Sequence, residues 1–147
     1  DAIDDYVRAI ELAPGYAHLY HSRGVSYYSL GEYQKAIEDY TLAIGIDPLF
    51  VNAYYNRGSS NFALGLPQQS IADYNNTIRL DSNHSFAYNN RGYAYYTLGQ
   101  SQAAIQDYDQ AHDETGVPIL QRDTQQNILE NHMQDYLERP TQVHMNQ

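Results

Sequence analysis

The dipeptide Asp-Tyr recurs as Asp5-Tyr6, Asp39-Tyr40, Asp73-Tyr74 and Asp107-Tyr108, each step 34 residues from the last. Laid over one another at that offset, other positions fall into register: Tyr20, Tyr54 and Tyr88; Arg23-Gly24, Arg57-Gly58 and Arg91-Gly92; Leu30-Gly31, Leu64-Gly65 and Leu98-Gly99; Ile37, Ile71 and Ile105. A fixed period of this length marks stacked supersecondary units, each burying its apolar face against its neighbours, rather than one globular core. A hydrophobic fraction of 42% and a mean hydropathy of −0.66 suit such a thin, solvated array.

Each unit reads as two helices. In residues 17–30, Leu19, Tyr20, Arg23, Gly24, Tyr27 and Leu30 recur at spacings of three and four, and Gly31 supplies a left-handed stop. A second amphipathic run carries Tyr33, Ala36, Ile37, Tyr40, Ala43 and Ile44 on one face; Asp47-Pro48 closes it, because the residue before a proline leaves the helical region. Pro67 opens the matching helix of the next unit, where a missing N–H costs nothing. No stretch alternates apolar and polar residues long enough to compete as a strand.

With positions counted from Ala17, Val51 and Ser85 as 1, a large residue stands at position 4 (Tyr20, Tyr54, Tyr88), glycine at 8 (Gly24, Gly58, Gly92) and a small residue at 20 (Ala36, Ser70, Ala104). An aromatic residue stands at 24 (Tyr40, Tyr74, Tyr108) and proline at 32 (Pro48, with Pro14 in register). This pattern resembles the tetratricopeptide repeat over roughly residues 1–115. The resemblance implies an all-α fold, a right-handed α-solenoid of antiparallel helix hairpins. Glycine at 8 lets the two helices of a hairpin approach, with Ala36 and Ala104 helping from the opposite helix. Sixteen Tyr against three Phe suggest rings at the borders of layers, hydroxyls reaching outward, rather than in a deep core.

The expected organisation is a second helix of a truncated repeat over 1–16, repeats over 17–50, 51–84 and 85–118, a capping helix over 119–139 and a disordered tail over 140–147. The cap would turn Leu129, Met133, Tyr136 and Leu137 toward the last hairpin. The lone first element and the absence of an initiator Met suggest a segment of a longer protein. Without a hairpin mate, Ile3, Tyr6, Val7 and Ile10 should leave apolar surface open, a route to self-association through the N-terminal helix.

If the units stack as the resemblance implies, positions 2, 5, 6, 9, 12 and 13 of the first helices line a concave face. They are His18, His21, Ser22, Val25, Tyr28 and Ser29; then Asn52, Tyr55, Asn56, Ser59, Phe62 and Ala63; then Phe86, Asn89, Asn90, Tyr93, Tyr96 and Thr97. None is Asp, Glu, Lys or Arg, so a neutral, Asn- and Tyr-lined groove faces the ligand while the outside is anionic. Such a groove suits a partner peptide or helix, held by main-chain hydrogen bonds and aromatic contact. Asn56 and Asn90 share position 6, where some family members carry an asparagine ladder that grips main chain; the alternative is that they face solvent or cap local structure. Substituting Asn56 or Tyr55 by Ala should then affect partner binding alone. The family's carboxylate clamp for an acidic chaperone tail needs Lys and Arg at positions 2, 5 and 6, which this chain lacks.

Arg23, Arg57 and Arg91 stand where the family usually places Leu, and Asp39, Asp73 and Asp107 stand 16 residues after each. They read as structural interhelical ion pairs, each Arg reaching the Asp of its own unit or that of the preceding one. A net charge of −10, with 8 basic against 18 acidic residues, excludes a phosphate-binding footprint, hence nucleic acid. No run is apolar enough for a membrane span. There is no cysteine, and no serine has a His with an orienting carboxylate at a diagnostic spacing, so no enzyme activity is expected. His18 and His21 are one turn apart but lack a third ligand, so neither a metal nor another cofactor is expected. The sequons Asn75-Asn76-Thr77 and Asn83-His84-Ser85 carry no weight without secretion, and nothing fixes the compartment, the cytoplasm being the default. Two functional classes remain, a peptide-binding interaction module and an assembly element joining copies through open solenoid ends.

Overall fold

The computed structural model describes residues 1–111 as seven helices with no strand among them: α1 (Ala2–Leu12), α2 (Ala17–Ser29), α3 (Tyr33–Ile46), α4 (Val51–Ala63), α5 (Pro67–Leu80), α6 (Ser85–Thr97) and α7 (Ser101–Gln110). The expected cap over 119–139 and tail over 140–147 lie outside the described residues. Helices α2 and α3, α4 and α5, and α6 and α7 form three hairpins; α1 packs on α2, and each later hairpin packs on the one before. The first helices also meet in sequence, α2 on α4 and α4 on α6, so they share the inner side of the stack.

The hairpin turns follow from glycine. Gly31, Gly65 and Gly99 adopt φ +76°, a conformation costly for any residue with a Cβ. At the first of them, Gly31 N–H donates to Tyr28 O and Glu32 N–H to Tyr27 O, each at 2.9 Å, which satisfies carbonyls the helix would otherwise leave orphaned. The turns between hairpins use tyrosine instead. Tyr20, Tyr54 and Tyr88 hydroxyls donate to the carbonyls of Pro14, Pro48 and Ser82 six residues earlier, at 2.9–3.1 Å.

The core is correspondingly divided. One apolar cluster joins Ala17, Ala43, Phe50 and Ala53, a second Tyr55, Tyr74 and Ala87, a third Tyr93, Ala104 and Tyr108. The expectation of tyrosines at layer borders holds for Tyr20 and Tyr88, which are half-buried, and fails for Tyr54, 8% exposed, and at position 24, where Tyr40 and Tyr74 are 1% exposed and Tyr108 is buried as well. The cause is the glycine at position 8. A Cβ on Gly24 would lie 2.7 Å from Tyr40 Cε1, and one on Gly58 2.9 Å from Tyr74 Cε1, so the ring fills the slot that glycine opens. The Tyr74 hydroxyl keeps a partner there in Ser59 Oγ at 3.1 Å. Ser70 at position 20 donates to the carbonyl of Gly58 across the same hairpin.

Candidate functional site

Within each hairpin the Arg at position 7 meets the Asp 16 residues on. Arg23 donates to Asp39 through Nε (2.8 Å) and Nη2 (2.7 Å), and Arg91 to Asp107 through Nε (2.8 Å) and Nη2 (2.6 Å). Arg57 makes the same fork on Asp73, whose Oδ2 also accepts from Asn61 Nδ2. The carboxylates are buried and the guanidinium groups half-buried against the rings of Tyr20, Tyr54 and Tyr88. The hydrogen bonds that Arg23 donates to Asp39 raise its pKa further, and those that Arg91 donates to Asp107 do the same. Desolvation dominates on the acid side and raises Asp73 and Asp107 above the ordinary carboxyl value, against the pull of their arginines. For these two acids burial of the carboxylate works against the attraction of the paired arginine.

The third nitrogen of two of these arginines reaches the preceding hairpin, which the sequence reading missed. Arg57 Nη1 donates to Thr41 Oγ1 (3.2 Å) and Arg91 Nη1 to Asn75 Oδ1 (2.8 Å). Thr41 and Asn75 both occupy position 25, a shared register that could have revealed them; the residue in the same register one unit earlier is Val7, whose side chain cannot accept.

On the inner side a second ladder links position 5 of one hairpin to position 6 of the next. Asn56 Nδ2 lies 2.9 Å from His21 Nε2, and Asn90 Nδ2 donates to the Tyr55 hydroxyl at 2.9 Å. A ring from position 34 covers each position-5 residue: Phe50 lies 4.8 Å from His21, and His84 lies 4.8 Å from Tyr55. Phe50 also lies 4.8 Å from the His18 ring, so one phenyl ring contacts both imidazoles. Burial lowers the His21 pKa, with a smaller push from His18, and a hydrogen bond to the Asn52 backbone opposes it. His84 Nδ1 accepts from Ala87 N–H at 3.1 Å and caps α6; burial lowers its pKa while Asp81 pulls the other way.

This geometry corrects part of the expected groove. Asn56 and Asn90 neither face solvent alone nor cap their own helix; their amide nitrogens tie neighbouring hairpins together. Tyr55 and Tyr93 are buried at 8% and 7%, because they pack into the joints, Tyr55 on Tyr74 and Tyr93 edge-on to Phe62 at 5.3 Å. Changing Asn56 or Tyr55 therefore disturbs the fold as well as the inner face. His18, Asn52 and Phe86 at position 2 are exposed, Phe86 by 70%, and Val25 is exposed at position 9. Ser22, Asn89 and Tyr96 are half-buried. Among the described residues no helix is long and apolar enough to cross a membrane, and no three His, Asp or Glu side chains group as metal ligands.

Comparison with known proteins places this geometry. Sequence models of the TPR repeat match residues 24–65, and models of the tetratricopeptide repeat match residues 51–84 and 85–113. No curated protein matches the chain. A crystal structure of MamA superposes with a TM-score of 0.76 at 22% identity, covering 98% of this chain and 82% of that one. The first TPR of Spaghetti (RPAP3), bound to the HSP90 peptide SRMEEVD, gives 0.67 at 24% identity over 84% of this chain and 94% of its own. The second TPR of the same protein, bound to the same peptide, gives 0.63 at 29% identity over 65% and 88%. With the period, the hairpins and the matched models in agreement, the chain belongs to the tetratricopeptide repeat family.

Proposed function

We propose that this chain is a protein–protein interaction module that holds a partner peptide or helix against the inner face of α2, α4 and α6. The observation that carries the reading is the uncharged, partly exposed surface those three helices share, fixed in register by the His21–Asn56 and Tyr55–Asn90 bonds. A surface pre-organised in this way loses little entropy when a ligand docks. The exposed His18, Asn52 and Phe86 and the half-buried Phe62, Asn89 and Tyr96 are the side chains that would touch it. An acidic tail like the SRMEEVD peptide of the RPAP3 domains suits this surface poorly. Positions 2, 5 and 6 hold His18, His21, Asn52, Asn56, Phe86 and Asn90, without a Lys or Arg to receive a carboxylate.

Selection from a random peptide library tests the reading. Peptides enriched on the wild-type chain should be lost from Asn52→Ala/Phe86→Ala, whose exposed side chains leave the thermal midpoint unchanged. Retention of the same peptides by that variant would place binding elsewhere.

A second reading, self-association through α1, is favoured by one observation. Ile3, Tyr6, Val7 and Ile10 are only half-buried and Leu12 is 88% exposed, so no residue of this helix is buried. Sedimentation over a wide concentration range, repeated with Val7→Glu/Leu12→Glu, distinguishes the two: association that the double change leaves intact does not run through α1.

A further inference from the structure

We propose that the occupant of the inner face is a cationic, donor-rich extended peptide with one apolar anchor, an inference that rests on the peptide-groove reading above. The first ground is hydrogen-bond polarity. Asn56 and Asn90 each spend one amide N–H on His21 and Tyr55, which leaves each amide one N–H and an Oδ1 that no described residue engages. With two acceptor lone pairs against one remaining N–H, each amide offers more acceptors than donors, which favours main-chain N–H, ammonium or guanidinium groups.

The second ground is where the charges are. Among the described residues, Arg8, Arg23, Lys35, Arg57 and Arg91 are each ion-paired, and Arg79 donates to Asn76 Oδ1. The acids are not balanced in the same way. Asp47 and Asp81 are exposed at the ends of α3 and α5, in the turns that lead into α4 and α6, and accept only the backbone N–H of Leu49 and of Asn83. They stand three residues before Phe50 and His84, the rings that cover His21 and Tyr55. With an overall charge of −10, the chain attracts a basic segment and repels an acidic one before contact. The anchor is provided for by Phe86, exposed by 70% and one turn before Asn90 on the same face of α6.

The test uses the full chain and three labelled peptides of about nine residues, long enough at about 3.3 Å per residue to cross three first helices spaced about 10 Å apart. All share the same Leu and Phe positions; the remaining residues are Lys, Gln or Glu. Fluorescence anisotropy should rank them Lys, Gln, Glu at low salt, with about a tenfold gap between first and last that narrows at high salt. Phe86→Ala should weaken the Lys and Gln peptides alike. Asp47→Asn/Asp81→Asn keeps the acceptors of the two turns and should bring the Lys peptide down to the Gln peptide. A Gln or Glu peptide that binds as tightly as the Lys peptide overturns the cationic preference while leaving the groove standing. Failure of all three overturns the groove reading itself. Lys-peptide binding that ignores both sets of changes is attraction to the anionic outside, and also overturns the proposal.

Discussion

Helices α1 and α4 reverse what their sequences promise. Helix α1 carries the cleaner apolar stripe, Ile3, Tyr6, Val7 and Ile10, yet none of its residues is buried. Helix α4 has little more than Tyr54, Tyr55 and Phe62 to bury, yet Ala53, Tyr54, Tyr55, Gly58, Ser59, Ser60 and Asn61 are all buried. The difference lies in neighbours: α4 is enclosed by α2, α3, α5 and α6, whereas α1 packs mainly on α2. In a solenoid, position in the stack outranks the amphipathicity of a single helix.

The sharpest way to break the contrast is to remove a charge from the enclosed side. Arg57→Leu strands the buried Asp73 and severs the bond to Thr41, so unfolding should cost about 3 kcal/mol less, a fall in Tm of about 10 °C. The paired change Arg57→Leu/Asp73→Leu should recover most of that. Arg8→Ala, which breaks an exposed pair with Asp5 on α1, should move stability by less than about 0.5 kcal/mol. Equal effects from Arg57 and Arg8 in thermal unfolding would abolish the distinction drawn between the two helices.

Overpacking comes next. Gly58→Ala sets a methyl 2.9 Å from a Tyr74 ring that has nowhere to move, and about 1–3 kcal/mol should be lost. Gly45→Ala on α3 meets nothing within 4 Å and should gain about 0.5 kcal/mol by helix propensity. Denaturant midpoints that rank these two in the opposite order would show the Gly58 slot to be loose.

A smaller effect is expected from pH. The folded-state pKa of both His21 and His84 is lowered, so the folded chain binds protons less readily than the unfolded one. Their contribution is fully present above the unfolded value of about 6.5 and is lost as pH falls below it toward the depressed folded values. At His84 the added proton also occupies the Nδ1 that caps α6, at a cost of about 1 kcal/mol, the worth of an N-cap. His84→Asn keeps a capping acceptor without titrating, so its Tm should fall less between pH 7 and pH 5 than that of the wild type. Parallel curves would mean the cap is not coupled to protonation.

These effects also separate what was legible in the sequence from what was not. The 34-residue period sufficed for the hairpins, because Leu30-Gly31 and its repeats force the turns locally. The 16-residue spacing marked the Arg and Asp as partners but left open whether the Asp was that of the same unit or the preceding one, and the structure shows the same unit. What escaped was the polar interior of the middle hairpin. Ser60, Ser70 and Thr77 are wholly buried, each donating to a backbone carbonyl, those of Asn56, Gly58 and Asp73. Hydropathy marks such residues as surface; only the three-dimensional register shows that their hydrogen bonds are met inside. The same blindness hid the inward turn of Asn56 and Asn90. An amide facing a neighbour one unit away looks, in one dimension, like an amide facing a ligand.

The last and smallest effect returns to α1. With one main packing partner and no buried residue, it should open without the rest of the stack, and its amides should exchange with solvent at a free energy well below that of global unfolding. Amides of α4 should exchange only on global opening, because exposing them requires both neighbouring joints to separate. Val7→Ala and Ile10→Ala should accelerate exchange in α1 and leave α4 unchanged, with melting shifted by no more than about 1 kcal/mol each. Exchange in α1 as slow as in α4, at a concentration where sedimentation finds a single species larger than the monomer, would mean that a second copy supplies the missing neighbour. The contrast between the helices would then describe the isolated chain and not its working assembly.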